Sequence, residues 1–168
     1  MTSESKAKEM FFSYACNHYF MHRDGTDKIY RKYAISKKQE NKWKDEYIEH
    51  FINELNGNNL DALNALANCH ADRAIPAIIK FSIQGESFEK LWFAITLFSM
   101  SNNKHQSVHQ QAKKQGIEIC EFLINNPITI SSQCKRQINK GALQALKADN
   151  HEDYIINYAN SLLKQHKG

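Results

Sequence analysis

The scarcity of chain breakers constrains this sequence more than any other feature: its 168 residues include only six glycines and two prolines. An all-β chain needs such residues at its many tight turns, so their near absence points to helices joined by short loops. The apolar pattern agrees. Trp43, Tyr47, Phe51 and Leu55 recur at i+4, joined by Ile48 and Ile52, which lays one apolar face along a helix. Ahead of this run, Ser36-Lys-Lys-Gln39 has the form of a capping box, and Asn56-Gly-Asn-Asn59 ends it.

The same reading extends to the rest of the chain. A first helix is expected from about Glu4 to His22, with Gly25 supplying a left-handed cap, and a short segment follows over Asp27–Ile35. Leu60, Leu63 and Leu66 form the face of the next helix, with Ala62, Ala65 and Ala67 allowing close approach. After the turn at Ala71-Asp72, Asp72 suits the N-cap of a helix in which Pro76 occupies the first turn and Ile75, Ile78 and Ile79 face inward; Gln84-Gly85 ends it. The segment Glu86–Met100 is apolar nearly all round, the pattern of a helix sandwiched between others. A long helix over Lys104–Asn125 turns Val108, Ala112, Ile119, Phe122 and Leu123 inward and stops at Asn126-Pro127. Ser131 or Ser132 can cap a helix running through Leu146, and Asn150 can cap a last one carrying Ile155, Tyr158 and Leu162. The fold class expected is all-α: about eight helices in antiparallel pairs, as a short HEAT-like stack or an irregular orthogonal bundle, in one domain over 1–168.

Hydrophobic residues make up 42% and charged residues 24%, a globular rather than a disordered balance. No apolar run reaches the roughly 18 residues of a membrane span. The start of the chain is charged and lacks the apolar stretch of a signal peptide, so the expected location is the cytoplasm. There, Cys16, Cys69, Cys120 and Cys134, widely spaced and without a CxxC pair, read as buried thiols. The net charge of +4 is uneven. Residues 1–50 carry ten Lys/Arg against eight Asp/Glu, residues 51–100 three against five, and residues 101–168 nine against five. An acidic middle between basic ends argues against one continuous basic groove for nucleic acid.

Catalytic signatures are missing from the text. His18/His22 and His105/His109 have the i, i+4 spacing of paired zinc ligands, but neither pair encloses the Glu of an HExxH motif, and neither metal nor cofactor is expected. Cys69 and His70 are adjacent, so on a helix their side chains diverge by about 100° and form no dyad. No Gly-x-Ser-x-Gly elbow and no Gly-rich phosphate loop occurs; the chain does not read as an enzyme. Ten of the eighteen aromatic residues lie between Phe11 and Phe51, among them Tyr14, Tyr19, Phe20, Tyr30 and Tyr33, interleaved with Arg23, Lys28, Arg31, Lys32, Lys37 and Lys38. Rings among cations can stack bases; rings that seal one end of a helical domain, with lysines outside, give the same text.

Two resemblances carry the expectation further. Asp72-Arg-Ala-Ile-Pro-Ala77 resembles the inter-helix turn and second-helix start of a HEAT repeat, and Ala62-Leu-Asn-Ala-Leu66 is echoed by Ala142-Leu-Gln-Ala-Leu146. In length, in the lack of an export signal and in this helix-pair text, the chain is similar to the small all-helical immunity proteins that neutralise bacterial contact-dependent growth-inhibition toxins. That resemblance implies a protein-binding module that blocks the active cleft of a cognate toxin domain, in many cases a basic nuclease. The positive net charge departs from the acidic balance common among nuclease inhibitors. The acidic middle supplies the expected contact residues: Glu46, Glu49, Glu54, Asp61, Asp72, Glu86 and Glu89, a set suited to a basic partner. The alternative is a nucleic-acid-binding helical-repeat protein using the basic, aromatic N-terminal helices.

Overall fold

A computed structural model describes residues 2–101, 106–130 and 151–167. Among them are nine α-helices and no strand: α1 (Ser3–Ser13), α2 (His18–Arg23), α3 (Asp27–Arg31), α4 (Lys37–Glu54), α5 (Leu60–Asn68), α6 (Ile75–Phe81), α7 (Ser87–Met100), α8 (Ser107–Asn125) and α9 (His151–His166), with a 3-10 turn at Asp72–Ala74 before α6. The all-α expectation holds. Among the described residues, no helix is long and apolar enough to cross a membrane. The expected helix over residues 131–146, the second Ala-Leu echo within it, Cys134, His105 and the Asn150 cap lie outside the described residues.

Local chemistry sets the helix ends. The Ser36 hydroxyl accepts from the Gln39 amide at 3.2 Å and opens α4 as expected. Asn59 caps α5 in the same way, accepting from the Ala62 amide at 3.0 Å. The single N-terminal helix expected over Glu4–His22 is instead two. After Tyr14 the chain turns left-handed at Ala15 and Cys16, with φ of 51° and 53°. The Cys16 amide then bonds Phe11 O at 2.9 Å and the Ala15 amide bonds Phe12 O at 3.0 Å. These are the two hydrogen bonds of a Schellman end. Asn17 starts α2 afresh, its side chain accepting from the Tyr19 amide at 3.0 Å. Asp72 does not cap α6: it opens the 3-10 turn, Ala74 stands at the cap without a side-chain bond, and Pro76 lies in the first turn.

α7 is the centre, packed against α5, α6, α8 and α9, and it buries residues on every side, from Phe88 and Leu91 through Phe93, Ala94, Leu97 and Phe98. α8 lies antiparallel to it: Ser87 meets Thr129 just beyond α8, Phe98 faces Gly116, and Met100 O takes the His109 side chain. α4 and α5 form a second antiparallel pair, joined by the turn at residues 55–59 and tied at the other end by Arg73 to Asp45. The HEAT-like segment does not fold as an isolated repeat pair, because α5 packs chiefly on α4 and α7, and α6 on α7 and α8. Its arrangement is that of an irregular bundle. Ala112, Ile119 and Leu123 face the core as expected, whereas Phe122 is 47% exposed, its ring beneath the Lys90 ammonium.

Candidate functional site: an acidic face and a polar pocket

Two regions gather chemistry-bearing side chains. The first is the face made by α4, the start of α5 and the turn before α6. Glu46, Glu49 and Glu54 are exposed along α4, Asp61 on the first turn of α5, and Asp72 on the 3-10 turn. The sequence reading omitted Asp45, which is also exposed and stands beside Glu49 at the guanidinium of Arg73: Arg73 Nη1 is 3.4 Å from Asp45 Oδ1 and Nη2 is 3.9 Å from Glu49 Oε2. Arg73 also donates to Asp45 O at 2.8 Å, which ties the turn to α4. Glu46 pairs with Lys8 of α1, and that ammonium holds its carboxyl below the usual range. Among the described residues, neither Glu54 nor Asp61 takes part in an ion pair. Two of the expected contact residues sit elsewhere. Glu86 is half-buried at the N-cap of α7, and Glu89 is only 6% exposed. At the third position of α7, the Glu89 carboxylate lies near the positive end of that helix, where it cannot meet a partner directly.

Asp72 has a second role. Its carboxylate stands 3.4 Å from Nε2 of His109, a residue 4% exposed whose Nδ1 lies 2.6 Å from Met100 O. A carbonyl only accepts, so Nδ1 carries the proton there. One imidazole thus links the end of α7 to the start of α8 and stands beside the acidic turn.

The second region is a pocket of about 580 Å³ between α2, α3 and the first turn of α4. Its floor rests on an aromatic cluster: Phe11 stacks on Tyr30 at 5.7 Å and lies 6.4 Å from Trp43, and His18 meets Tyr30 edge-on. The N-terminal rings therefore seal one end of the domain, with Phe11, Tyr30, Trp43 and Tyr47 buried and Tyr19 exposed. Into this apolar setting α4 projects Glu40, 7% exposed. His18 Nε2 lies 3.1 Å from its Oε1, and Lys37 Nζ donates to its Oε2 at 3.5 Å. A second carboxylate, Asp27, faces His22 at 3.6 Å and Arg31 at 3.4 Å. The His18/His22 pair thus turns to two different acids, and among the described residues no three metal-ligating side chains gather. The Tyr30 hydroxyl is buried; burial, then the charge and the hydrogen-bonding of the neighbouring Glu40 carboxylate, raise its pKa. Composition concealed this pocket, but one signal stood in the text. Glu40 precedes Trp43 by three and Tyr47 by seven, so it is an acid on the apolar stripe of α4.

Cys16, Cys69 and Cys120 are buried and free, and burial pushes their thiols up to about 12, 11 and 12. Thiols so rarely ionised are packing groups rather than nucleophiles. The chain matches no protein-family model, and no curated protein or solved structure matches it.

Proposed function

We propose that this chain is a protein-binding module whose acidic face, built from α4, the start of α5 and the turn at Asp72, takes a basic partner; in its specific form it is an immunity protein that covers the active cleft of a cognate toxin domain, with nuclease toxins foremost. The observation that carries this reading is the set of exposed carboxylates at Asp45, Glu46, Glu49 and Glu54 on α4, Asp61 on α5 and Asp72 on the 3-10 turn. Arg73, on the turn before α6, and Lys8 of α1 neutralise part of it, and neither is paired with Glu54 or Asp61. Clustered exposed carboxylates steer a cationic partner and occupy positions that substrate phosphates would take in its cleft.

The test is co-expression with the C-terminal segment encoded by the neighbouring upstream reading frame, scored by bacterial growth and by a sizing column. Relief of growth arrest and one-to-one co-elution are expected for the native chain. Both are expected to fail for the triple variant Glu49→Lys, Glu54→Lys, Asp61→Lys, which removes no buried contact. A triple variant that protects as well as the native chain overturns the contact face; a harmless neighbour with no complex overturns the immunity reading.

A further inference from the structure

The end of the molecule built from α2, α3 and the first turn of α4 is the electrostatic opposite of the acidic face. Arg23, Lys28, Arg31, Lys32, Lys37 and Lys38 are all exposed there. Between positions 17 and 39 only Asp24 and Asp27 oppose them. Both are engaged: Asp24 accepts from Arg23 at 2.7 Å, and Asp27 faces Arg31 at 3.4 Å and His22 at 3.6 Å. Among the described residues, Lys28, Lys32 and Lys38 take part in no ion pair.

The fold arranges these cations around a concavity. Arg31 of α3 and Lys37 of α4 line the cavity of about 580 Å³, together with His18, Tyr19 and His22 of α2. The acids that accompany them lie deeper. Glu40 and Asp27 are 9% and 15% exposed at the side chain, against 76% for Lys37 and 80% for Arg31. Carboxylates beneath and cations outside present positive charge to a group at the mouth, and each acid fixes the cation above it. Lys28 and Lys32, four apart at the end of α3, and Lys38, beside Lys37, extend the charge along the chain on either side.

Tyr19 adds a second kind of contact. It lines the same cavity, yet 68% of its surface is exposed. Its edge-on contact with Phe20, at 5.8 Å between centroids, covers at most one face of the ring. An open ring face among cations suits a base stacked beside its phosphates. A bilayer is flat and a duplex keeps its bases stacked inside, so neither brings phosphate and free base face together to a concave mouth; a single strand does. An acidic peptide would engage the lysines and leave Tyr19 unused. Farther along α4 the carboxylates from Asp45 onward repel a polyanion, which confines the footprint to this end.

We propose that this basic end binds single-stranded nucleic acid, with phosphates on Lys28, Arg31, Lys32, Lys37 and Lys38 and a base stacked on Tyr19.

Fluorescence anisotropy of a labelled oligouridylate titrated with the full chain tests this. The logarithm of the association constant is expected to fall linearly with the logarithm of salt concentration, by about 0.7 per phosphate contacted. Replacing Lys28, Lys32 and Lys38 together by Ala is expected to make that slope shallower by about 2 and to weaken binding about a hundredfold at 0.1 M salt. The control Lys80→Ala, Lys114→Ala, Lys164→Ala removes the same charge from exposed positions on α6, α8 and α9, and is expected to leave the slope unchanged. Tyr19→Ala is expected to weaken binding about tenfold without changing the slope. Every substituted side chain is exposed, so native melting curves are expected throughout. Equal losses in the two triple variants overturn the site, because net charge alone would then explain them. Unchanged affinity in Tyr19→Ala also overturns the proposal. So does tighter binding of a duplex, of polyglutamate or of phosphatidylserine vesicles, or no anisotropy change at low salt and near-millimolar protein. None of these readouts depends on the acidic face or on a toxin.

Discussion

His70 sits in the left-handed region with φ of 51° and closes α5 through two hydrogen bonds, Ala71 N to Leu66 O at 3.1 Å and His70 N to Ala67 O at 3.0 Å. The α2 end has the same geometry, but there the left-handed residue is Gly25, where no Cβ crowds the backbone. Placing Gly at position 70 removes the steric penalty, about 1–2 kcal/mol for a left-handed L-residue. It also restores about 0.4–1 kcal/mol of chain entropy to the unfolded state. The His70 side chain is exposed and gives up little packing, so His70→Gly is expected to stabilise the fold by about 0.5 kcal/mol, read as a rise in the urea midpoint at constant slope. These closures explain what was legible in the text and what was not. Gly25 announced its turn. Ala15-Cys16 and His70-Ala71 carry no turn chemistry of their own, and Cys16 is left-handed because the core holds it there, at 5% exposure.

Between elements, contacts at single atoms decide the geometry. The turn after α4 and the turn before α7 meet backbone to backbone: a Cβ at Gly85 would lie 2.4 Å from Gly57 O and 2.6 Å from the Glu89 Cβ. Neither neighbour is the free end of a flexible chain, so Gly85→Ala is expected to force the turns apart and cost about 1–3 kcal/mol. A melting curve checks this, and an unchanged midpoint would show that the turns yield. Both glycines stood in the text as loop punctuation, and their mutual approach was invisible there because 28 positions separate them. Helix starts were more legible. Ser36 and Asn59 bond amides three residues on, a local interaction that needs no distant partner. The role of Asp72 was not legible, since that residue answers to His109 on α8 rather than to α6.

Across the whole molecule, the buried thiols make stability depend on alkaline pH. Cys16, Cys69 and Cys120 have folded pKa values of about 12, 11 and 12, against an unfolded value near 9. Above pH 9 the unfolded chain therefore binds fewer protons than the folded one, so stability falls as pH rises. Their contribution is complete below pH 9 and is lost progressively between pH 9 and about 12. Urea denaturation at pH 8, 9.5 and 10.5 is expected to give falling midpoints, with a shallower fall in Cys16→Ala; an equal fall in that variant would assign the effect to other groups. The fold class, the α4 boundaries and most of the apolar faces of α4 to α8, Phe122 apart, were present in the residue order, because period and capping act over a few residues of chain. The acidic α4 face was half present: Glu46, Glu49 and Glu54 follow from the text, whereas the exclusion of Glu89 and the binding of Asp45 by Arg73 require the assembled helices. Of the pocket of Glu40, Tyr30 and His18 the text showed only an acid on the apolar stripe of α4; the meeting of the three side chains was decided by the packing of α2, α3 and α4, because they lie on separate elements.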